Sequence, residues 1–569
     1  MGDIKLTIDN IEVTVPEGST LLDAAHAAGI DLPTLCYLRD VNEIGACRMC
    51  LCEVEGARGL VTACAFPVSD GMVAHTNTER LRESRRKTLQ LIVSDHNMDC
   101  LACVRNNNCE LQKLCKRYGV TDTDYYAGKK NSFSVDASSK SIVRDNNKCI
   151  LCRRCVGACE NLQGIGVIGA NNRGFDTYIG STFDLPLAET SCVNCGQCAA
   201  VCPTGAITVK DETDEMWKYL NDPKKMVVVQ VAPAVRVALG EQFGLPEGAN
   251  VMGKIVKALK MMGVDKVFDT VVSADMTVVE EAGEFLERVA AGGPFPMFTS
   301  CCPAWIKYAE TKHPEFINKN ISSCKSPLQM FGAVIDELYG NDPERELISV
   351  AVMPCTAKKY EVSRSEFTKA DGKRIVELSL TTQELANMIK NAGIDFANLE
   401  EEFLDAPFDM GGSGAGVIFG VTGGVAEAVI RECAKDKTNA YVKEMRDVGV
   451  RGKESMKEAV INVDGRDIHI AVVHGLKAAE DLIQKMERGE AYYDIVEVMA
   501  CPEGCIGGAG QPFALNPRRD KRAKALYRTD NDMSMKFSSK HPETIYAFDE
   551  IVKGRNHEML HVHYNKNEK

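Results

Sequence analysis

Cysteine spacing constrains this chain more than any other feature of its sequence. The 569 residues include 24 cysteines, and the densest stretch holds two runs of the form C-x2-C-x2-C-x3-C that begin at Cys149 and Cys192. The N-terminus, MGDIKLTIDN, has no basic region followed by an apolar core, so we expect no secretory signal and a cytoplasmic location. Clustered thiols in a cytosolic chain are usually metal ligands and not disulfides. The spacing therefore predicts several iron–sulfur or zinc sites.

The composition indicates a globular protein of several domains. Hydrophobic residues make up 45% and charged residues 26% of the chain, and 569 residues exceed what one hydrophobic core organises. No apolar run approaches the roughly 20 residues of a membrane-spanning helix. The net charge of −13 argues against a nucleic-acid surface. We expect neither a membrane span nor a nucleic-acid partner.

Residues 1–80 carry the first set of candidate ligands. Two alternating apolar runs around Asp9-Asn10 predict a β-hairpin, and a short helix from Leu21 to Ala28 should follow. The next cysteines have the spacing C-x10-C-x2-C-x13-C. This arrangement resembles the β-grasp fold of plant-type [2Fe–2S] ferredoxins, in the spacing of an iron–sulfur subunit of respiratory complex I. The resemblance implies a [2Fe–2S] cluster on four ligands, with a structural zinc site as the alternative: Cys36, Cys47, Cys50 and Cys64.

Three further clusters are implied between residues 81 and 210. In residues 81–125 the spacing H-x3-C-x2-C-x5-C resembles a [4Fe–4S] site of the same complex I subunit and of certain hydrogenases, although a lone histidine is usually a surface residue. Residues 126–140 are polar and predict a linker. In residues 140–210 the doubled run resembles bacterial two-cluster ferredoxins, in which the fourth cysteine of each run crosses to the other cluster. The implied [4Fe–4S] ligand sets are His96, Cys100, Cys103 and Cys109; Cys149, Cys152, Cys155 and Cys202; and Cys192, Cys195, Cys198 and Cys159.

From Met226 onward, strand-like apolar runs alternate with helical segments. The runs are MVVVQVAPA, KVFDTVV, LISVAVMPC, IHIAVVHG and YDIVEVMAC, and the helical segments include Thr277–Ala291 and Thr382–Ala392. The alternation predicts an α/β domain over residues 222–515, with parallel sheets and ligands at the carboxyl ends of strands. The Gly-rich stretch 411–424 lacks the GxGxxG spacing, so it predicts tight packing near a buried centre and not a dinucleotide site. The whole chain is then an α+β and α/β multidomain protein.

Three cysteine-bearing loops of this α/β domain follow strand-like runs. They are TSCCPAW at 299–305, MPCTAKKYE at 353–361 and EVMACPEGCIGGAGQP at 497–512. Cys501 and Cys505 are four residues apart and can face one metal centre if the segment is helical. The three loops match the signature loops of [FeFe]-hydrogenases, and the preceding clusters resemble the multi-cluster members of that family. The resemblance implies a two-lobed domain and an H-cluster, a [4Fe–4S] cluster joined to a diiron subsite with CO, CN⁻ and a bridging dithiolate. Its implied ligands are Cys302, Cys355, Cys501 and Cys505, the last also bridging to the diiron subsite.

The same resemblance assigns roles to residues around the cofactor. It implies that Lys358 donates to a cyanide ligand and that Ala232-Pro233 forms a wall. Met353 and Met499 should line the pocket, with simple core filling as the alternative. A proton relay is implied from Cys301 through further side chains: Glu281, Ser322, Glu284 and Arg288. Glu281 and Glu284 share one face of the predicted helix, as a stepwise path requires, although such a pair is by itself more often a solvated surface.

The resemblance implies an oxygen-sensitive enzyme that interconverts H₂ with protons and electrons and depends on maturation factors. No flavin or nicotinamide site is visible, so coupling to NAD(P) requires another subunit. The complex I-like clusters and the ending LHVHY resemble chains of NAD(P)-linked, sometimes bifurcating, hydrogenases; residues 516–569 should wrap the catalytic domain. The alternatives are a stand-alone ferredoxin-dependent hydrogenase, a non-catalytic relay or H₂ sensor, and an iron–sulfur assembly homologue. Four cysteines have no assigned role: Cys52, Cys115, Cys324 and Cys433.

Overall fold

The computed structural model describes residues 2–121, 130–435, 437–438, 441–443, 446, 449–513 and 518–564. The first part of the predicted linker, residues 126–129, lies outside the described residues. No helix in the described part of the chain combines the length and the apolar character that crossing a membrane requires.

The N-terminal region is a five-stranded sheet with the order β2-β1-β5-β3-β4. The predicted hairpin is confirmed: Asp9 and Asn10 both have positive φ, as the tight turn between β1 and β2 requires. The predicted helix is also present, and Thr20 caps it in a reciprocal capping box with Asp23. The elements are β1 (Asp3–Ile8), β2 (Ile11–Pro16), α1 (Leu21–Ala27), β3 (Leu51–Val54), β4 (Val61–Thr62) and β5 (Val73–His75).

The next region has little regular structure because its loops wrap cysteine sites. Two helices flank the His96 segment, and two short antiparallel strand pairs, β6 with β9 and β7 with β8, lie beside the doubled cysteine run. Each of the two runs contains a one-turn helix. The elements are α2 (Glu79–Ser94), α3 (Glu110–Tyr118), β6 (Ile142–Arg144), α4 (Arg154–Gly157), β7 (Ile168–Asn171), β8 (Tyr178–Ser181), α5 (Gln197–Ala200), β9 (Ile207–Val209) and α6 (Thr213–Leu220).

Two four-stranded sheets organise the α/β region. The first, in the order β11-β10-β13-β14, is wholly parallel, and the second, in the order β12-β17-β16-β15, is parallel except for β15. The predicted parallel sheets are therefore confirmed. Their strands are β10 (Lys225–Val231), β11 (Lys266–Asp269), β12 (Met297–Phe298), β13 (Glu346–Met353), β14 (Leu378–Thr381), β15 (Met456–Val463), β16 (Arg466–His474) and β17 (Ile495–Met499).

One predicted strand is shorter than expected. The run KVFDTVV is not one strand, because β11 ends at Asp269 and a helix begins at Val271. The Asp269 carboxylate accepts the Val271 N–H at 3.0 Å, which satisfies a donor of the first helical turn, and it also pairs with the buried Arg236 guanidinium. The apolar residues after Asp269 therefore begin a long helix, α8, which starts before the predicted position 277.

Helices pack against both sheets of the α/β region. The C-terminal segment runs back over the α/β region, where Cys324 and His561 form an isolated antiparallel bridge. The helices are α7 (Met252–Met261), α8 (Val271–Ala291), α9 (Pro303–Lys312), α10 (Pro327–Tyr339), α11 (Ala357–Glu361), α12 (Thr382–Asn391), α13 (Gly414–Val417), α14 (Gly424–Cys433), α15 (Leu476–Glu487), α16 (Arg518–Asp532), α17 (Pro542–Tyr546) and α18 (Asn556–Leu560).

Candidate active site and cluster sites

The three signature loops meet in one pocket between the two sheets. The loop with Cys355 follows β13 of the first sheet, whereas the loops with Cys302 and with Cys501 and Cys505 follow β12 and β17 of the second. The carboxyl ends of parallel strands are the usual place for ligands in α/β folds. The cavity volume is about 90 Å³, and the walls of the pocket are mostly apolar.

Four thiols converge on this pocket. Cys302, Cys355, Cys501 and Cys505 all line it, and each interacts electrostatically with others of the set. Burial raises the pKa of each of these thiols above its ordinary value, because the thiolate is poorly solvated there. A set of four thiols that line one pocket fits an iron–sulfur cluster, since iron replaces the thiol protons and offsets the thiolate charge.

Glycines let the loops approach one another closely. A Cβ atom at Gly508 would lie 2.2 Å from the Pro354 carbonyl oxygen, and one at Gly504 would lie 2.5 Å from the Thr422 backbone nitrogen. Gly504 also has a φ of +91°, which other residues rarely adopt. In the Gly-rich stretch, Gly420 lines the pocket itself, so this stretch packs against the buried centre as its composition predicted.

Lys358 brings a positive charge into the apolar pocket. Its Nζ donates to Glu361 Oε2 at 2.8 Å and to the Cys301 carbonyl at 3.2 Å. Burial opposes the charged form, but the nearby Glu361 carboxylate raises the pKa of Lys358 above its ordinary value. Met353, Met499 and the Ala232-Pro233 segment also line the pocket, as the resemblance implied. Glu361 was not anticipated, although it lies three residues after Lys358 on the same helix.

Behind Cys301, hydrogen-bonding side chains connect the pocket with the protein surface. Glu281 Oε1 accepts from both the backbone N–H and the hydroxyl of Ser300 at 3.2 Å. The Ser322 hydroxyl donates to Glu284 Oε2 at 3.0 Å, and it lies near enough to Glu281 to lower the pKa of that carboxyl group. Glu284 in turn forms an ion pair with Arg288, one helical turn further along α8. The structure thus brings together the predicted relay residues.

Glu281 has the properties of a proton carrier. It is fully buried, and its Oε2 atom has no hydrogen-bond partner within the described part of the chain. Burial raises the pKa of Glu281 to about 7, and the neighbouring Glu284 charge adds to the effect. A carboxyl group with that pKa exchanges protons readily near neutral pH. Ser300, which holds this carboxylate, was missed by the sequence analysis because its hydroxyl has no motif of its own.

Two smaller cavities are each lined by four cysteines of the doubled run. Cys159, Cys192, Cys195 and Cys198 line one cavity, and Cys149, Cys152, Cys155 and Cys202 line the other. These are the two crossed sets that the resemblance implied. The first cavity adjoins the main pocket, since the Gln163 amide donates to the Ala500 carbonyl at 2.8 Å and Thr356 Oγ1 donates to the Asn194 carbonyl at 2.9 Å.

The four thiols of the first domain also form one group. Cys50 Sγ lies 3.3 Å from Cys64 Sγ, and the Cys47 N–H donates to Cys36 Sγ at 3.4 Å. Cys52 is buried and bonds only to the Cys50 carbonyl among the contacts of the described residues, at 3.8 Å.

His96 lies at the end of α2, followed by the loop with its three predicted partner cysteines. Burial and the nearby Lys148 lower the pKa of His96 to about 4, so the imidazole is neutral at physiological pH. Its Nδ1 atom is buried and has no hydrogen-bond partner among the described residues. A neutral, unpartnered imidazole nitrogen suits metal ligation.

Both outer sites approach the same ferredoxin-like cavity. The Asn42 side-chain amide donates to the Cys36 carbonyl at 2.8 Å and to the Cys152 carbonyl at 3.1 Å. On the other side, a Cβ atom at Gly205 would lie 2.8 Å from Cys103 Sγ, and the Glu110 N–H donates to the Pro203 carbonyl at 3.0 Å. The cysteine sites thus form a branched series that leads inward to the main pocket. Such a series defines an iron–sulfur oxidoreductase.

Comparison with known proteins identifies the family. Residues 225–509 match the C-terminal domain of the iron-only hydrogenase large subunit. Residues 2–79 match a 2Fe-2S iron–sulfur cluster-binding domain, and residues 85–124 match the NADH-ubiquinone oxidoreductase-G iron–sulfur binding region. Residues 139–208 match the ferredoxin-like domain of NADH-quinone oxidoreductase subunit 3.

Full-length relatives and solved structures agree with this match. The chain is 43% identical to the NADP-reducing hydrogenase subunit HndD of Solidesulfovibrio fructosivorans over 100% of both chains. It is 39% identical to iron hydrogenase 1 of Clostridium pasteurianum over 99% of this chain and 100% of that protein. An [FeFe]-hydrogenase structure from Chlamydomonas reinhardtii aligns with a TM-score of 0.53 at 34% identity, covering 62% of this chain and 99% of that one. The chain belongs to the iron-only, or [FeFe], hydrogenase family.

Proposed function

We propose that Cys302, Cys355, Cys501 and Cys505 of this [FeFe]-hydrogenase would hold its H-cluster, including a diiron subsite with CO, CN⁻ and a dithiolate. The convergence of four thiols on one apolar pocket carries this proposal. The diiron group would supply a low-valent metal with an open position and strong-field ligands, which protein side chains lack. The reaction is 2H⁺ + 2e⁻ ⇌ H₂.

The surrounding residues would hold the cofactor and move protons. Lys358 offers an ammonium group to an anionic ligand such as cyanide, and its pairing with Glu361 keeps it oriented. Met353 and Met499 exclude water from the pocket. Cys301 would exchange the proton at the pocket, and Glu281 would receive it, because this carboxyl group has a pKa of about 7.

The outer half of the relay would deliver protons to the surface. Ser322, which donates to Glu284, would pass the proton on from Glu281, and Arg288 holds Glu284 near the exit. The Arg288 side chain is 11% exposed and the Glu284 side chain 15%, compared with complete burial of Glu281. Partial exposure of Glu284 and Arg288 beside a fully buried Glu281 is the arrangement expected of a path from a dry pocket to solvent.

Electrons would pass through one [2Fe–2S] and three further [4Fe–4S] clusters on the ligand sets given above. The inner ferredoxin-like site adjoins the H-cluster pocket, and the outer one lies between both peripheral sites. Two peripheral clusters provide two points of electron entry or exit.

The chain is proposed to work as the catalytic subunit of a cytoplasmic complex with a flavin-containing, NAD(P)-binding subunit, ferredoxin or both, after insertion of the cofactor by maturation factors. Full-length similarity to an NADP-reducing hydrogenase subunit supports this arrangement. Full-length similarity to iron hydrogenase 1 supports the alternative of a stand-alone ferredoxin-dependent enzyme. Size-exclusion chromatography of the native protein distinguishes them: a co-eluting flavoprotein supports the complex, and a lone chain of 62.2 kDa supports the alternative.

Infrared absorption of anaerobically matured protein tests the cofactor assignment. Bands in the CO and CN⁻ stretching region are expected from the matured wild type and not from unmatured protein. A silent spectrum from matured protein with its other clusters intact would contradict the assignment and favour an electron relay without a diiron site.

A further inference from the structure

A group of metal-ligating side chains lies at the outer end of the proton relay. Ligand atoms of Glu284, Cys324 and His561 all lie within 4.8 Å of one another. Carboxylate, thiolate and imidazole are the three ligand types that Zn²⁺ takes in proteins. A tetrahedral ion needs ligand atoms about 3.3 to 3.8 Å apart, so side-chain movements of about 1 Å close the group around one ion.

The backbone fixes two of the three ligands opposite each other. The Lys325 N–H donates to the Leu560 carbonyl and the Val562 N–H donates to the Ser323 carbonyl, both at 2.8 Å, so Cys324 and His561 are direct cross-strand partners. In an antiparallel pair the side chains of directly opposed residues point to the same face. The C-terminal segment thus delivers an imidazole to a buried thiol that the proposed reaction does not use.

The hydrogen bonds of His561 leave one ring nitrogen facing the group. Its Nε2 lies 2.8 Å from Glu280 Oε2, and an ionised carboxylate only accepts, so Nε2 carries the proton. Nδ1, 2.8 Å from Ser323 Oγ, is then the unprotonated nitrogen and accepts from this hydroxyl. A histidine that donates its second N–H to a carboxylate is the usual arrangement around protein-bound zinc.

Glu284 can offer Oε2 to an ion in exchange for its present hydrogen bonds. Arg288 pairs with Oε1, whereas Oε2 accepts from Ser322 Oγ and from the Ser323 backbone N–H, and Ser323 Oγ lies 3.2 Å away. A dication bound by Oε2, the Cys324 thiolate and neutral His561 forms an uncharged centre once the thiol proton has left. The group is reachable from solvent, since the side chains of Glu284 and His561 are 15% and 8% exposed.

We propose that Glu284, Cys324 and His561 bind a borderline divalent cation such as Zn²⁺, and that the bound ion arrests proton transfer at Glu284. The inhibitory part rests on the proton path proposed above. The ion replaces the Ser322 and Ser323 hydrogen bonds to Glu284 Oε2, so this oxygen can no longer receive a proton from the inner relay. Mg²⁺ and Ca²⁺ are not bound, because they prefer sites made of oxygen ligands only.

Zn²⁺ binding to the mature enzyme tests the site independently of turnover. Equilibrium dialysis should show one more tightly bound Zn²⁺ in the wild type than in Cys324→Ala. Cys433→Ala is the matched control, since Cys433 is also buried, outside every proposed ligand set, and contacts only the Ala282 carbonyl in the described hydrogen bonds. This control should bind as many ions as the wild type. Equal stoichiometry in all three proteins would overturn the site.

H₂ evolution with a reduced dye, with and without Zn²⁺, tests the inhibition. Zn²⁺ should slow the wild type and Cys433→Ala at least tenfold, with recovery on chelation, while Cys324→Ala should need at least tenfold more Zn²⁺. Cys324→Ser retains the shape of the side chain but removes the soft ligand. It should show the same loss of Zn²⁺ sensitivity and provides the test if Cys324→Ala folds poorly. Equal Zn²⁺ sensitivity of wild type and both variants would overturn the proposal. Loss of one bound ion in the variants with no inhibition of the wild type would establish the site and refute proton transfer through Glu284.

Discussion

At the scale of single residues, the proposed function gives two adjacent thiols different roles. Cys302 belongs to the proposed set of four cluster ligands, while the Cys301 thiol has a pKa raised by burial and by the nearby Glu281 charge. We expect Cys301→Ala to lower turnover by roughly 100-fold or more, the range for loss of a general acid–base group. Infrared bands of the cofactor should persist. Cys433→Ala should retain wild-type turnover, and an active Cys301→Ala enzyme would exclude Cys301 from the relay.

Glu543 is a buried residue outside the active site, and the protonation of its carboxyl group affects the free energy of unfolding. It accepts backbone N–H groups of Met410 and Gly411, yet burial raises its pKa to about 7 from an ordinary value of 4.5. The folded protein therefore retains a proton that the unfolded chain loses between these values. This contribution to stability is complete below pH 4.5 and lost as pH rises through 7.

Glu543→Gln removes that titration but retains an acceptor oxygen. Relative to the wild type, the variant should become more stable by roughly 2 to 3 kcal/mol between pH 5 and pH 8. Thermal unfolding of both proteins at the two pH values measures the change. Glu558→Gln, at an exposed position of the same segment, should show no such trend. A pH-independent difference for Glu543→Gln would show that Glu543 titrates normally.

At the scale of elements, helix α16 clamps the loop that carries two cluster ligands. The buried Arg522 guanidinium donates to the Ile506 and Pro512 carbonyls at 2.9 Å and pairs with both Glu241 oxygens at 2.7 Å. Arg522→Ala leaves a buried carboxylate and two carbonyls without their donor. We expect a loss of about 3 to 5 kcal/mol and a lower cofactor content, measured by unfolding and iron analysis.

The neighbouring Lys521 provides the control for this prediction. It also pairs with a glutamate, Glu247, but its side chain is 53% exposed. Lys521→Ala should therefore cost less than about 1 kcal/mol. Equal effects of the two substitutions would show that burial of the Arg522 pair contributes nothing to the loop.

Local signals predicted elements better than they predicted contacts between elements. The hairpin at Asp9-Asn10 and the helix from Thr382 follow from turn residues and a capping box, which are encoded within a few positions. The start of α8 was missed because Val271 and Val272 continue an apolar run, and only the Asp269 carboxylate ends the strand. The pairing of Cys324 with His561 joins distant parts of the chain and has no local signal.

At the scale of the whole molecule, Asn42 joins the peripheral [2Fe–2S] site to the ferredoxin-like region. Asn42→Ala removes the side chain that bridges the Cys36 and Cys152 backbones. Without this bridge the two cysteine sites should lie further apart. Because electron tunnelling weakens steeply with distance, reduction of the [2Fe–2S] cluster by H₂ should slow several-fold. The His96 cluster should be reduced at the wild-type rate. Freeze-quench paramagnetic resonance resolves the two signals.

Asn161→Ala is the matched control for Asn42→Ala. The Asn161 amide crosses the same interface and donates to the Val41 carbonyl at 3.0 Å, but among the described residues it forms no hydrogen bond to a cysteine. This variant should reduce both clusters normally. Equal slowing of both peripheral clusters in Asn42→Ala would indicate general loosening of the interface and not a specific junction.

The grouping of the thiols around each cavity was predictable at this scale, whereas the spatial order of the groups was not. Cysteine spacing, together with family resemblance, grouped the thiols that line each cavity. The convergence of both peripheral sites on one ferredoxin-like cavity depends on contacts such as those of Asn42 and Gly205, which belong to no motif. The ion pair of Glu361 with Lys358 was likewise not predictable, because it depends on the direction of the Lys358 side chain.

The division of the pocket between two sheets has a mechanical consequence. Cys355 comes from the first sheet and the other three ligands from the second, so a cluster bound there is a covalent cross-link between the two lobes, comparable in its effect on chain entropy to a disulfide. Oxidative destruction of that cluster would therefore remove a structural tie together with the catalyst. Damage by oxygen would then progress from lost turnover to separation of the lobes, and proteases would cut an inactivated enzyme faster than an intact one.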